Sequence, residues 1–183
     1  MGYYIELLFP NPFIELVSEQ SKKYDLEESL IFAIMRRESL FYREVSLSVG
    51  AKGLMQVTNS TADFIAKRYK LTQFEERQIY NSTVNIKVGS ANLDFLADLF
   101  KNNLILSIAA YNAGLGNVAK WLTNKDIPAK QWVENIPFVE TRNYVRHVLV
   151  NMVVYDNLVL KNDHVRLSDL LQTKLSNKLS FKK

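Results

Sequence analysis

Glu38 follows Met35 by three positions, Ile34 by four and Ile31 by seven. On a helix that reaches this far, its carboxylate projects from the apolar face rather than the solvated one. Burial there disfavours the ionised form and raises the pKa, which a carboxyl group needs in order to donate a proton near neutral pH. If the helix stops short of residue 38 the side chain points to water instead, and spacing alone leaves these two readings evenly balanced. Glu27 and Glu28, at the other end of the same stretch, need no such explanation. The chemistry open to a lone acid of this kind is general acid and base catalysis.

Other chemistries find little support. The chain has no Cys, which leaves neither a disulfide framework nor a thiolate site. His147 and His164 are the only histidines, and neither falls in a cluster with Asp or Glu at metal-ligand spacing, so no metal and no cofactor are expected. Gly114-Leu115-Gly116-Asn117-Val118-Ala119 satisfies a loose dinucleotide-binding pattern, but that motif needs a preceding strand and here a helix precedes it. Asn59-Ser60-Thr61 and Asn81-Ser82-Thr83 match the glycosylation sequon, yet both sit where helix N-caps are expected. The formal charge of +4 mildly favours anionic partners. Arg142, Arg146, Arg166 and the tail lysines are dispersed rather than gathered on one recognition helix, so nucleic acid is not an expected partner.

The elements that must position Glu38 are mainly α. Leu26, Leu30, Ile31, Ile34 and Met35 recur at helical spacing from about Leu26 to Glu38. Ser60-Thr61-Ala62-Asp63 reads as a capping box ahead of a helix running to about Tyr69. Further helices are predicted from about Thr83 to Lys101, Leu104 to Asn112, Asn117 to Thr123 and Phe138 to Leu160. The last has a buried stripe of Val145, Val148, Leu149, Met152, Tyr155 and Val159. Pro10 and Pro12 bracket a turn before the first helical stretch, and Pro128 and Pro137 delimit a segment leading into the long helix. Strands should be few and short, around Gly53 to Val57.

At 183 residues and 48% hydrophobic content, one domain over residues 1–175 is the default, followed by a basic, frayed tail over 176–183. No apolar stretch approaches the roughly 20 residues that span a bilayer. No secretory signal is visible at Met1-Gly2-Tyr3-Tyr4, so an exported protein would have lost its signal.

Four blocks follow in order: Glu38-Ser39; Gly53-Leu54-Met55-Gln56; Ala110-Tyr111-Asn112-Ala113-Gly114; and Ile136-Pro137-Phe138-Val139-Glu140-Thr141-Arg142. Together they resemble the catalytic domain of the soluble lytic transglycosylases, over about Tyr4 to Tyr155. The resemblance implies a goose-type lysozyme-like helical domain with at most a minimal β element. It implies cleavage of peptidoglycan glycan strands between N-acetylmuramic acid and N-acetylglucosamine, with the muramoyl 6-hydroxyl closing onto C1 to leave a 1,6-anhydro end. Glu38 matches the catalytic glutamate, acid first and base second. Gln56 matches a position that contacts the saccharide, with Met55 beside it, and Ser39 is implied as a supporting residue.

Tyr111 matches a tyrosine whose hydroxyl lies near the acid, although read without the resemblance it is a core tyrosine at a helix end. Asn112, Gly114 and Gly116 equally suit a helix C-terminus, and Gly50 and Gly53 are expected to shape the turn that brings Gln56 to the cleft. Glu140 also matches an acid of the family. Its place in the first turn of the long helix favours the charged form, which makes it a supporting residue or a simple helix-terminal charge. The family resemblance further implies a periplasmic, monomeric enzyme, and the abrupt start fits a fragment whose relatives carry a large helical domain ahead of this one.

Two departures stand out. The serine that relatives place nine positions after the glutamate is here Leu47, flanked by Ser46 and Ser48, either of which could replace it; an Asn-Pro pair gives way to Tyr42-Arg43. Two rival readings remain: a goose-lysozyme-like hydrolase, which would need a second carboxylate or a held water, and a catalytically weak peptidoglycan-binding module.

Overall fold

The computed structural model describes residues 2–44, 50–71, 76–123, 125–172 and 174–175. Met1–Asp94 and Phe95–Lys183 form two compact units. The first holds α1 (Gly2–Leu8), α2 (Ile14–Tyr24), α3 (Glu28–Ser39), a hairpin of β1 (Ala51–Lys52) and β2 (Val57–Thr58), α4 (Asn59–Arg68), a 3-10 turn (Glu76–Tyr80) and the start of α5 (Ser82–Leu99). The second holds α6 (Leu104–Ala113), α7 (Leu115–Trp121), β3 (Ile127–Pro128), α8 (Ala129–Glu134), α9 (Val139–Val154), α10 (Leu167–Gln172) and β4 (Lys174–Leu175).

α3 is more than amphipathic. Ser29 to Met35 are buried without a break, and Ile31 to Met35 have no exposed surface at all. A helix apolar on every side lies inside its core rather than upon it. Its first residue, Glu28, and its last turn, with Arg36 and Arg37, emerge. The Arg36 guanidinium lies 4.1 Å from the Phe9 ring centroid, an arrangement that holds the charge at the surface while its stem packs against the aromatic face.

The strands are short, as expected, but they flank most of the stretch from Gly53 to Val57, with only Val57 itself in a strand. Ala51 pairs with Thr58 and Lys52 with Val57, while Gly53 to Gln56 form the turn between them. Gly53 and Gln56 have positive φ of 75° and 47°, a conformation that breaks a strand and reverses the chain. The capping box also shifts. Thr58, extended at the end of β2, accepts from the Thr61 amide at 3.2 Å and is the N-cap of α4, which leaves Ser60 and Thr61 inside the helix. Asn81 does cap α5 as expected, accepting from Thr83 and Val84.

In the second unit α6 is buried from Ile105 to Ala110 and packs against α7 and α9. α9 buries Val145, Val148, Leu149 and Met152, then passes into a π-helical turn, Tyr155–Val159. Tyr155 is buried and Val159 is only half-buried. Buried Asp156 fastens the following loop by accepting from the His164 and Val165 amides, each at 2.8 Å. His164 itself is exposed, as is His147. β3 and β4 pair antiparallel, joining Ile127 to Leu175. The predicted tail, 176–183, lies outside the described residues.

Candidate active site

α3 reaches Ser39, so Glu38 is on the helix, in its last turn, directly above Ile34 and Met35. Its side chain is half-buried. The alternative of a carboxylate beyond the helix end is thereby removed. The turn that follows is left-handed twice in succession, at Leu40 (φ 49°) and Phe41 (φ 67°). Each such residue costs on the order of 1 kcal/mol or more unless its surroundings hold it. Ser39 is what holds it: its Oγ accepts from the Phe41 amide at 3.1 Å.

The same hydroxyl joins two of the sequence blocks. Ser39 Oγ lies 2.8 Å from the Leu54 carbonyl and 3.1 Å from that of Met35, the nearer being the stronger candidate for its one proton. Ser39 is buried, and its bonds tie the residue after Glu38 to the Gly53–Gln56 turn. Met55 is wholly buried and Gln56 is 7% exposed. The Gln56 side-chain amide donates to the Gly53 carbonyl at 2.8 Å, which braces the turn from within. These two residues lie in the turn that Ser39 ties to α3.

Sequence reasoning missed two residues that fix this turn, Asn85 and Gly89, one helical turn apart on α5. Asn85 is wholly buried and accepts from the Met55 amide at 2.7 Å. Gly89 makes room for the Met55 side chain: a Cβ there would sit 2.4 Å from Met55 Sδ and 2.8 Å from its Cβ. The only available signal was an Asn on a helix face that is otherwise Ile86, Val88 and Gly89. A Gly89→Val change should lower the unfolding free energy by about 2 kcal/mol, since the small gain in helix propensity is outweighed by overpacking against an atom near the backbone. Urea denaturation measures this, and an unchanged midpoint with unchanged slope would contradict it.

In the second unit, Thr141 Oγ1 donates to Asn112 Oδ1 at 2.7 Å, which ties the 110–114 block to the first turn of α9. Tyr111 and Asn112 lie at the end of α6 and are half-buried, so Tyr111 is not a pure core tyrosine. Gly114, at φ 81°, separates α6 from α7, while Gly116 lies inside α7. Arg142 donates twice to the Ile136 carbonyl, at 3.2 and 3.0 Å, closing the turn that introduces α9. Glu140 is in that first turn and exposed. Phe138, also exposed, packs edge-on against Trp121 with centroids 5.0 Å apart. Ser46, Leu47 and Ser48 lie outside the described residues. Among the described residues, no group of three or more His, Cys, Asp or Glu is placed to hold a metal ion.

A mainly α chain with a two-residue-per-strand hairpin, carrying a half-buried glutamate at the end of an otherwise buried helix, has the lysozyme-like arrangement. Residues 15–133 match the family described as the transglycosylase SLT domain, and residues 135–163 match the soluble lytic transglycosylase helical domain. The chain belongs to the SLT transglycosylase domain family. It is 37% identical over 155 residues to the soluble lytic murein transglycosylase of Salmonella typhimurium, covering 83% of this chain and 24% of that protein.

Among solved structures, lytic transglycosylase Slt of Pseudomonas aeruginosa, in an inactive Glu-to-Gln mutant form, matches with a TM-score of 0.83 and 35% identity, over 86% of this chain and 26% of that one. The 70 kDa soluble lytic transglycosylase of Escherichia coli matches with a TM-score of 0.80 and 36% identity, over 83% and 25%. The chain thus spans about a quarter of the length of these relatives.

Proposed function

We propose that the protein is a peptidoglycan lytic transglycosylase that cuts the β-1,4 bond between N-acetylmuramic acid and N-acetylglucosamine without adding water. The observation that carries this reading is the position of Glu38. It projects from the last turn of α3 above a fully buried apolar face, half-shielded from water. A proton donor of this kind needs a setting that penalises the charged form, and partial burial near a helix C-terminus, where unpaired carbonyls gather, is one such setting.

In the first step Glu38 gives its proton to the glycosidic oxygen, the C1–O4 bond breaks, and C1 takes on oxocarbenium character. In the second, the Glu38 carboxylate removes the proton of the muramoyl 6-hydroxyl as its oxygen bonds to C1. The acid is regenerated and a 1,6-anhydro end is left. One carboxyl serves both steps because each leaves it in the state the next requires. Gln56, Met55, Ser39, Tyr111, Asn112 and Glu140 are assigned supporting roles. Support comes from the relatives named soluble lytic murein transglycosylase and from the inactive Glu-to-Gln form of the Pseudomonas enzyme.

On this reading residues 1–175 act as one catalytic domain, a monomer working in the periplasm on glycan strands. No helix among the described residues is long and apolar enough to cross a membrane. Mass spectrometry of digested peptidoglycan is the test. Anhydromuramoyl ends are expected; reducing ends without them would replace this reading with a hydrolase, and binding without any cleavage would replace it with a binding module.

A further inference from the structure

The Leu54–Met55 peptide is gripped on both sides. Its carbonyl oxygen receives the Ser39 hydroxyl at 2.8 Å, and its N–H donates to Asn85 Oδ1 at 2.7 Å. A single peptide plane therefore bridges the residue adjoining Glu38 and a buried side chain on α5. The other end of the Asn85 carboxamide is equally engaged: Nδ2 donates to the Lys52 and Ile79 carbonyls, both at 2.9 Å. Two donors meet two carbonyls and one acceptor meets one N–H, a set that a carboxamide can satisfy and a carboxylate or an apolar side chain cannot. Gly53 completes the fit, since a Cβ there would lie 2.4 Å from Asn85 Nδ2 and 3.0 Å from the Ile79 carbonyl.

We propose that Asn85 is a positioning residue for the reaction: by clamping the Leu54–Met55 peptide against Ser39, it sets the height and orientation of Gln56 relative to Glu38. Asn85 is wholly buried, and its bonds to the Met55 amide and the Ile79 carbonyl are buried with it, so either one left unmade strands a polar group without water as a substitute. The clamp acts on a turn whose Gln56 is left-handed, at φ 47°. Such a conformation persists only where its surroundings over-determine it. Released, the turn has a lower-energy backbone to move to, and Gln56 goes with it.

The kinetic test rests on the transglycosylase reading. In Asn85→Asp the side chain still accepts from Met55, but whether charged or protonated it has at most one proton for the Lys52 and Ile79 carbonyls, so at least one of them loses its donor. The variant is expected to lose on the order of 10²-fold in kcat, with KM changed far less, since small misplacements near the chemistry have effects of that size. Combined with Gln56→Ala, the two losses should not add, because both act through one side chain.

Hydrogen exchange read by mass spectrometry supplies a measurement independent of activity. Exchange over residues 50–58 should rise in Asn85→Asp while α3 and α5 remain protected. Should Asn85→Asp fail to fold, Gly53→Ala presses on the same carboxamide and should give the same local exchange signature.

A folded Asn85→Asp enzyme with wild-type kcat, additive losses with Gln56→Ala, or unaltered exchange over 50–58 in the variant tested would each overturn the proposal. If the wild type cleaves nothing while exchange rises as expected, the clamp stands and the transglycosylase reading fails.

Discussion

Glu38→Gln is expected to leave the protein folded and to reduce glycan cleavage by about 10²- to 10⁴-fold or more, the range typical for removing one positioned proton donor. The lower bound applies if a single step suffers. On the proposed mechanism one group protonates the leaving oxygen and then deprotonates the muramoyl hydroxyl, so both halves of the reaction lose their proton carrier and the loss should fall at the upper end. Glutamine keeps the shape and polarity of the side chain, and Glu38 sits at a half-buried position in the last turn of α3, above core residues it does not replace. The circular dichroism spectrum and the melting temperature should therefore change little. The rate of anhydromuropeptide release, measured with both proteins at equal concentration, checks the prediction. Comparable rates would remove Glu38 from the mechanism while leaving the family assignment intact.

Phe32→Ala should destabilise the fold by about 3–5 kcal/mol. Phe32 lies in the middle of α3 with no exposed surface, between Ile31 and Ala33, which are equally buried. Truncation removes a large aromatic side chain and leaves a cavity that neighbours already in close packing cannot fill. For a protein of this size the melting temperature should fall by on the order of 10 °C. The effect bears on function because α3 carries Glu38: a helix whose core anchor is lost presents its last turn less rigidly. Differential scanning calorimetry provides the measurement, and a shift of only a degree or two would show that the site collapses around the smaller side chain.

Much of this arrangement is legible before folding is considered. The spacing of Ile31, Ile34 and Met35 marks a helix that leads up to Glu38, and α5, α6 and α9 emerge from periodicity with boundaries displaced by at most two residues, apart from the π-helical continuation of α9. The four blocks, from Glu38-Ser39 to Ile136–Arg142, are linear patterns that any reader of the chain meets in order. Helical periodicity survives in sequence because it is a local property, set by residues three and four apart.

The short strand expected around Gly53 to Val57 is mostly a turn for the opposite reason. Gly53–Gln56 is apolar enough to read as a strand, but Gly53 and Gln56 adopt positive φ in a turn, held by Asn85, which lies 30 residues from the amide it accepts from. Ser39 and Leu54 likewise meet across 15 residues, and β3 and β4 join parts of the chain still further apart. The candidate acid and the proposed kind of reaction therefore rest on residue types and on the family resemblance of short linear blocks. What surrounds the acid, and why Asn85 and Gly89 matter to it, follows from hydrogen bonds and close packing between segments whose proximity no local pattern encodes.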